Sequence, residues 1–288
     1  MGKVIFNGHI VDREKAIIHI EDRGFQFGDG VYEVIRIYNG KPFTLKEHID
    51  RLYASAQKIY MEIPYSKQEI TDLIINLLEQ ENASTCNLYL QISRGVVPRN
   101  HVIPETVSPT LIGYLMPGTR PVDLMKTGGK AVITEDLRWH YCDIKSISLL
   151  GAVLAKKKAT DAGCLEAILH RDGIITEGSS TNIWMVQNGK LFTHPANQFI
   201  LNGITRQKVI SLLDFNQLPY EETGFTVEQL QNADELFLTS TTMEIIPIVE
   251  VDGVKIGNGT PGDVTRKLQT LFEREIEHEC GHLLSKVE

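Results

Sequence analysis

Asn-Gly and Asp-Gly dipeptides stand between apolar runs at positions 7–8, 39–40, 172–173, 188–189 and 252–253. Both residues of such a pair tolerate a positive φ, which a two-residue turn between twisted antiparallel strands requires. A chain punctuated in this way builds sheet along much of its length. The run Val31–Tyr38 alternates as a strand should.

Helices interrupt the sheet signals. Thr44-Leu45-Lys46-Glu47 and Ser66-Lys67-Gln68-Glu69 have the form of capping boxes. The first opens a helix with Leu45, Ile49, Leu52, Ala56 and Ile59 on one face, and the second a helix to about Glu81. Strands are expected at Cys86–Ser93 and Pro109–Met116, around a loop rich in Pro, Arg and His. Pro117-Gly118-Thr119-Arg120-Pro121 is the linker candidate. Beyond it, an Ala- and Lys-rich helix runs from Ser148 to near Gly163. Strands follow at Glu166–His170, Thr181–Gln187 and Leu191–Thr193, then a helix from near Thr205. Strands at Leu236–Thr239 and Ile245–Val251 precede a last helix from Pro261. The fold class is α+β in two domains. Residues 1–118 form a smaller α/β sandwich-like domain, and 119–288 a larger sheet- or barrel-like domain with surrounding helices. The length of 288 residues suits that division.

The formal net charge of -8 disfavours binding to a phosphate backbone, so nucleic acid is not an expected partner. No apolar run reaches the roughly 20 residues of a membrane helix. The N-terminus turns polar at Asn7-Gly8, unlike a signal peptide. Cys86, Cys142, Cys164 and Cys280 are scattered, which reads as a reduced cytoplasmic protein without a metal site. The tail His278-Glu279-Cys280-Gly281-His282 reads as a solvated end, and no motif marks the chain after Arg274.

Four segments hold groups that can do chemistry. Lys145, in Cys142-Asp143-Ile144-Lys145-Ser146-Ile147, has apolar neighbours on both sides. A lysine kept from water is a nucleophilic amine able to form an imine. The alternative is a strand-end lysine with its head in solvent. Glu177, in Thr176-Glu177-Gly178-Ser179-Ser180-Thr181-Asn182, offers a carboxylate to a heteroaromatic nitrogen, or belongs to a polar turn. Leu201-Asn202-Gly203-Ile204-Thr205-Arg206 enters a helix, with Thr205 as the expected N-cap. That helix end, together with Thr239-Ser240-Thr241-Thr242, is an anion site, or else ordinary capping. Arg94-Gly95-Val96-Val97-Pro98-Arg99-Asn100-His101 is a carboxylate clamp or a solvated basic loop. Tyr32 is a further donor or a strand aromatic. Arg51 reaches a phosphate or only a neighbouring carboxylate.

These motifs, in this order, resemble the fold-type IV pyridoxal-phosphate enzymes. That family includes D-amino-acid aminotransferases, branched-chain aminotransferases and aminodeoxychorismate lyases. The resemblance runs from Phe25-Gln26-Phe27-Gly28-Asp29-Gly30-Val31-Tyr32-Glu33 to the Thr239–Thr242 run. Pro98-Arg99-Asn100-His101, Asp143-Ile144-Lys145-Ser146, Leu149-Leu150-Gly151-Ala152 and Thr176-Glu177-Gly178-Ser179-Ser180 are most similar to the branch that acts on D-amino acids.

The resemblance implies pyridoxal 5'-phosphate as cofactor, and amino acids and 2-oxo acids as substrates in a ping-pong transamination. It makes Lys145 the Schiff-base lysine and Glu177 the partner of the pyridinium nitrogen. Arg51, Ile204, Thr205 and Thr241 hold the phosphate, and Leu201 packs on the ring. Tyr32, Arg99 and His101 take the substrate carboxylate, with the arginine and histidine reaching in from the second subunit of a homodimer. Branched-chain L-amino-acid transfer and aminodeoxychorismate lyase chemistry are alternatives on the same fold. A non-catalytic phosphate-ligand binding protein is a rival from another class. A metal hydrolase lacks a histidine pair at ligand spacing.

Overall fold

The computed structural model describes residues 2–287 and divides the chain into two compact units. One holds the chain up to Thr119 with Ile144–Leu149 and Glu279–His282. The other holds Arg120–Asp143, Leu150–His278 and the residues from Leu283 onward.

In the first unit β1 (Lys3–Phe6) and β2 (His9–Asp12) form a hairpin, and a 3-10 turn (Arg13–Lys15) and α1 (Arg23–Phe27) follow. Next come β3 (Gly30–Tyr38), β4 (Lys41–Pro42), α2 (Leu45–Lys58), α3 (Lys67–Gln80), β5 (Cys86–Ser93) and β6 (Thr110–Pro117). The strands make one antiparallel sheet in the order β2-β1-β6-β5-β3-β4. One face of β3 carries Val31, Glu33, Ile35 and Ile37, all buried. Three of these residues pack with Ile49 and Leu52 of α2 and Ile70, Ile74 and Leu77 of α3. Glu33 is thus a charge on an apolar face.

The α3 capping box forms: the Ser66 hydroxyl accepts from Glu69 N, and the Glu69 carboxylate accepts in turn from Ser66 N. The one at Thr44 does not. Thr44 sits at φ 52° with no side-chain cap, and its hydroxyl donates to Phe43 O. Its N–H is satisfied by Glu279 at 2.7 Å, from the far end of the chain. The tail is therefore packed, contrary to the solvated end expected for it: Asn39 Nδ2 donates to the carbonyls of Cys280 and His282, and the Cys280 side chain is buried.

The second unit begins with α4 (Val122–Thr127) and β7 (Gly129–Glu135). It continues through α5 (Leu150–Asp161), β8 (Glu166–Arg171), β9 (Ile174–Gly178), β10 (Asn182–Gln187), β11 (Lys190–Thr193) and α6 (Ile204–Phe215). The last elements are β12 (Tyr220–Glu222), α7 (Val227–Gln231), β13 (Glu235–Ser240), β14 (Glu244–Val251), β15 (Val254–Lys255) and α8 (Asp263–Cys280). The sheet order is β12-β11-β10-β13-β14-β7-β8-β9, with β15 on β14. The β7 strand, not foreseen in the sequence, pairs in parallel with both β14 and β8.

This order forces curvature. Strands β9 and β10 stand five places apart in the row, about 24 Å in a flat sheet. Only Ser179–Thr181 joins them, and an extended link of that size reaches roughly 14 Å at most. The sheet must curl until the end of β9 meets the start of β10, where Gly178 N donates to Thr181 O at 2.7 Å. The strand ends so brought together carry Glu177 and Asn182. All five dipeptide turns form with positive φ at both residues, for instance Asn188 at 51° and Gly189 at 74°.

Candidate active site

In the first unit Lys145 lies on the short segment Ile144–Leu149, which pairs with β3. Tyr32 N donates to Lys145 O at 3.0 Å and Ile147 N to Gly30 O at 3.1 Å. Lys145 N donates to the buried Ser55 hydroxyl of α2 at 3.2 Å. The backbone is thus pinned on two sides, while the side chain is half-buried rather than sealed from water. Its Nζ stands 4.3 Å from the Tyr32 ring centroid. Among the described residues no carboxylate forms an ion pair with it, in contrast to Lys46, Lys67 and Lys157. An amine held by an aromatic face and free of a counter-ion is available to a carbonyl carbon.

Next to Tyr32 in sequence, Glu33 joins His48 and Arg51 in a largely buried triad. Glu33 accepts from Arg51 Nε at 2.7 Å and Nη2 at 2.7 Å, and its Oε2 lies 2.7 Å from His48 Nδ1. Burial opposes the charged form of Glu33, but Arg51 and His48 outweigh it and hold the carboxyl down to about 2. Burial pushes His48 below its ordinary value, against the pull of Glu33. The structure places Arg51 on this nearby carboxylate. Arg99 and His101 are exposed on the loop between β5 and β6. Both gather at Phe27, the Arg99 guanidinium 4.4 Å above the ring and the His101 ring 5.3 Å away.

In the second unit Glu177 ends β9 with its carboxylate fully enclosed. Oε1 accepts from Arg138 Nη1 at 2.6 Å; Oε2 accepts from Asn182 Nδ2 and Leu201 N, both at 3.0 Å. Burial raises it, Arg138 opposes, and the net value is about 7. Asn182 Nδ2 also donates to Leu201 O at 2.8 Å, tying the carboxylate to the loop that enters α6. That loop ends at Gly203, which takes the N-cap position expected for Thr205 and offers no side-chain cap. A Cβ at Gly203 would lie 2.3 Å from Asn182 Oδ1, so the close approach requires glycine. The first N–H groups of α6, at the buried Ile204 and Thr205, are left for an anion. Thr241 lies in the turn between β13 and β14, half-buried beside Ser240, whose hydroxyl accepts from Met243 N.

Each unit by itself offers groups suited to pyridoxal phosphate: the second an uncapped helix end for a phosphate and a buried carboxylate near neutrality for a ring nitrogen, the first a lysine amine for an aldehyde. Sequence reasoning misses Glu33, His48, Asp136, Arg138 and Arg171. Glu33 is detectable as a charge in register with Val31, Ile35 and Ile37. Asp136 and Arg138 form a local pair whose partners lie far along the chain, so their burial leaves no local signal.

The chain belongs to the class IV aminotransferase family, whose model matches residues 30–251. It is 50% identical to a D-alanine aminotransferase of Listeria monocytogenes over 287 residues, covering 98% of this chain and 99% of that one. Its fold matches the branched-chain amino acid aminotransferase of Escherichia coli with a TM-score of 0.90 at 28% identity, over 94% of this chain and 93% of that one. It also matches the T.th. branched-chain amino acid aminotransferase solved with N-(5'-phosphopyridoxyl)-L-glutamate, with a TM-score of 0.89 at 26% identity, over 100% and 99% of the two chains. The α+β fold, the aminotransferase activity and the pyridoxal-phosphate dependence expected from the sequence all hold.

Proposed function

We propose that this enzyme moves amino groups between D-amino acids, D-alanine among them, and 2-oxo acids. The likeness to D-alanine aminotransferase at half identity along nearly the whole chain carries the reading. Pyridoxal phosphate supplies the electron sink for the charge left at Cα. Lys145 would hold the cofactor aldehyde through its amine and, when free, would serve as the base that carries the Cα proton. Glu177 keeps a proton on the ring nitrogen. The α6 N-terminus at Ile204 and Thr205, with Thr241 and Arg51, would hold the phosphate, and Leu201 would pack on the ring. Tyr32, Arg99 and His101 fix the substrate carboxylate. Because Lys145 works from one face, the side on which the carboxylate is clamped selects the enantiomer whose hydrogen it meets.

The working form is a homodimer in which Arg99 and His101 serve the partner's site. In support, the first unit exposes Phe25, Ile17, Ile20 and Val102, which are 78%, 76%, 74% and 69% accessible. So much bare apolar side chain around the clamp suits a surface covered by a second copy. The four free thiols suit a reducing cytoplasm.

Branched-chain L-amino-acid transfer is the second reading, favoured by the fold matches alone. One experiment separates them. Purified yellow protein is mixed with D-alanine, L-alanine or L-leucine, and the visible band is followed. Bleaching by D-alanine alone is expected; bleaching by L-leucine and not D-alanine would sink the proposal.

A further inference from the structure

Three charged side chains lock together behind Glu177. Arg138 gives its Nε to Asp136 Oδ1 at 2.8 Å and its Nη2 to Asp136 Oδ2 at 2.9 Å. Arg171 Nε donates to Asp136 Oδ2 at 3.0 Å, and the Thr176 hydroxyl donates to the same oxygen at 3.1 Å. Arg171 Nη2 donates to the carbonyls of Arg138 and Trp139, at 3.1 and 2.9 Å. The Arg138 fork is therefore held from behind, and its Nη1 points at Glu177 Oε1. Two guanidinium groups face two carboxylates, so the formal charge of the cluster cancels. The Cys142 thiol also lies in the field of these groups.

We propose that Arg138 is a positioning residue for transamination: clamped by Asp136, it holds Glu177 as an oriented carboxylate, the form that keeps a proton on the cofactor's ring nitrogen. This rests on the reading that Glu177 serves that nitrogen. A neutral glutamic acid would give a hydrogen bond to the nitrogen instead of holding charge beside it. Burial drives Glu177 toward that neutral form, and Asp136 drives it the same way; Arg138 is the main opposing group, with a smaller contribution from the Leu201 N–H. The planar fork suits the task, since it reaches two carboxylates at fixed angles.

The test uses the holoenzyme reconstituted with pyridoxal phosphate carrying ¹⁵N in the ring. The ring ¹⁵N shift is followed against pH in wild type, R138Q, R138K, D136N and E177Q. In parallel, the Glu177 carboxyl is titrated in the cofactor-free full chain by ¹³C NMR. Wild type should hold the protonated shift through neutral pH, and R138Q should lose it as E177Q does. R138Q should raise the Glu177 midpoint by about one pH unit or more, while D136N, which removes a negative neighbour, should lower it. A general loosening of structure would move both variants the same way, and that outcome overturns the proposal. If R138Q fails to fold, R138K carries the test: it keeps the cation and should keep the nitrogen protonated, and loss as complete as in E177Q counts against the proposal. An unmoved ¹⁵N shift in R138Q beside a moved one in E177Q defeats the role of Arg138 alone. An unmoved shift in both defeats the assignment of Glu177 as well.

Discussion

Glu33 and Glu177 are both sealed from water, yet their surroundings drive them in opposite directions. Glu33 faces a bidentate arginine and a histidine and falls from 4.5 to about 2; Glu177 shares its single arginine with Asp136 and rises from 4.5 to about 7. The depressed group contributes stability above its unfolded value, and that contribution is lost as pH falls from 4.5 toward 2. The raised group contributes below 4.5, and its contribution is lost as pH rises toward 7. Each window is worth about 3 kcal/mol. In urea unfolding of cofactor-free protein, E177Q should flatten the change between pH 4.5 and about 7, and E33Q the change between pH 4.5 and about 2. An unaltered slope in E177Q would show that Glu177 does not titrate there. At Lys145, substitution by alanine should leave a folded chain on which borohydride traps no cofactor, read by mass spectrometry; trapped cofactor on the variant would shift the assignment to another lysine. Arg99→Ala should weaken use of every amino acid by about 2–5 kcal/mol of transition-state binding, seen in kcat/KM. A loss confined to one substrate would make Arg99 a reader of side chains.

At the scale of elements, local chemistry decided what the sequence disclosed. The five dipeptide turns and the Ser66 box depend on residues within a few positions, and all were legible. Thr44 carries the same pattern as Ser66, but its N–H found Glu279, some 235 residues away in sequence, and its own hydroxyl turned to Phe43. A pattern cannot announce a partner at that distance. The two caps should therefore respond differently: Ser66→Ala should cost about 1 kcal/mol in urea unfolding. Thr44→Gly should cost less or stabilise, since it relieves a branched residue at positive φ. The Gly203 cap was equally hidden, because the reason for glycine there is Asn182 rather than the helix. Gly203→Ala should displace Asn182 and weaken pyridoxal-phosphate binding to the apoenzyme by tenfold or more, about 1.4 kcal/mol, by fluorescence titration. Unchanged binding would remove this helix end from the phosphate site. Strand β7 escaped for the same physical cause, its pairing being parallel and long-range.

At the scale of the whole molecule, the placement of the amine and of the clamp poses a question of assembly. Lys145 is held by β3 and α2, whereas Arg99 and His101 lie on an exposed loop among uncovered apolar side chains. If the clamp serves a partner, two defective chains can repair each other. A K145A chain still offers Arg99, and an R99A chain still offers Lys145. Neither homodimer turns over efficiently. Mixed by refolding together, they give heterodimers in which one site has lost both groups and the other has both. Random pairing makes half the dimers mixed, so roughly a quarter of wild-type activity should return. A clamp acting within its own chain leaves one defect in every site, and mixing restores nothing. The measurement is D-alanine turnover against mixing ratio, with sedimentation confirming dimers. A maximum near equal amounts is expected, and a flat line at the level of the parents would return the clamp to the chain that carries it.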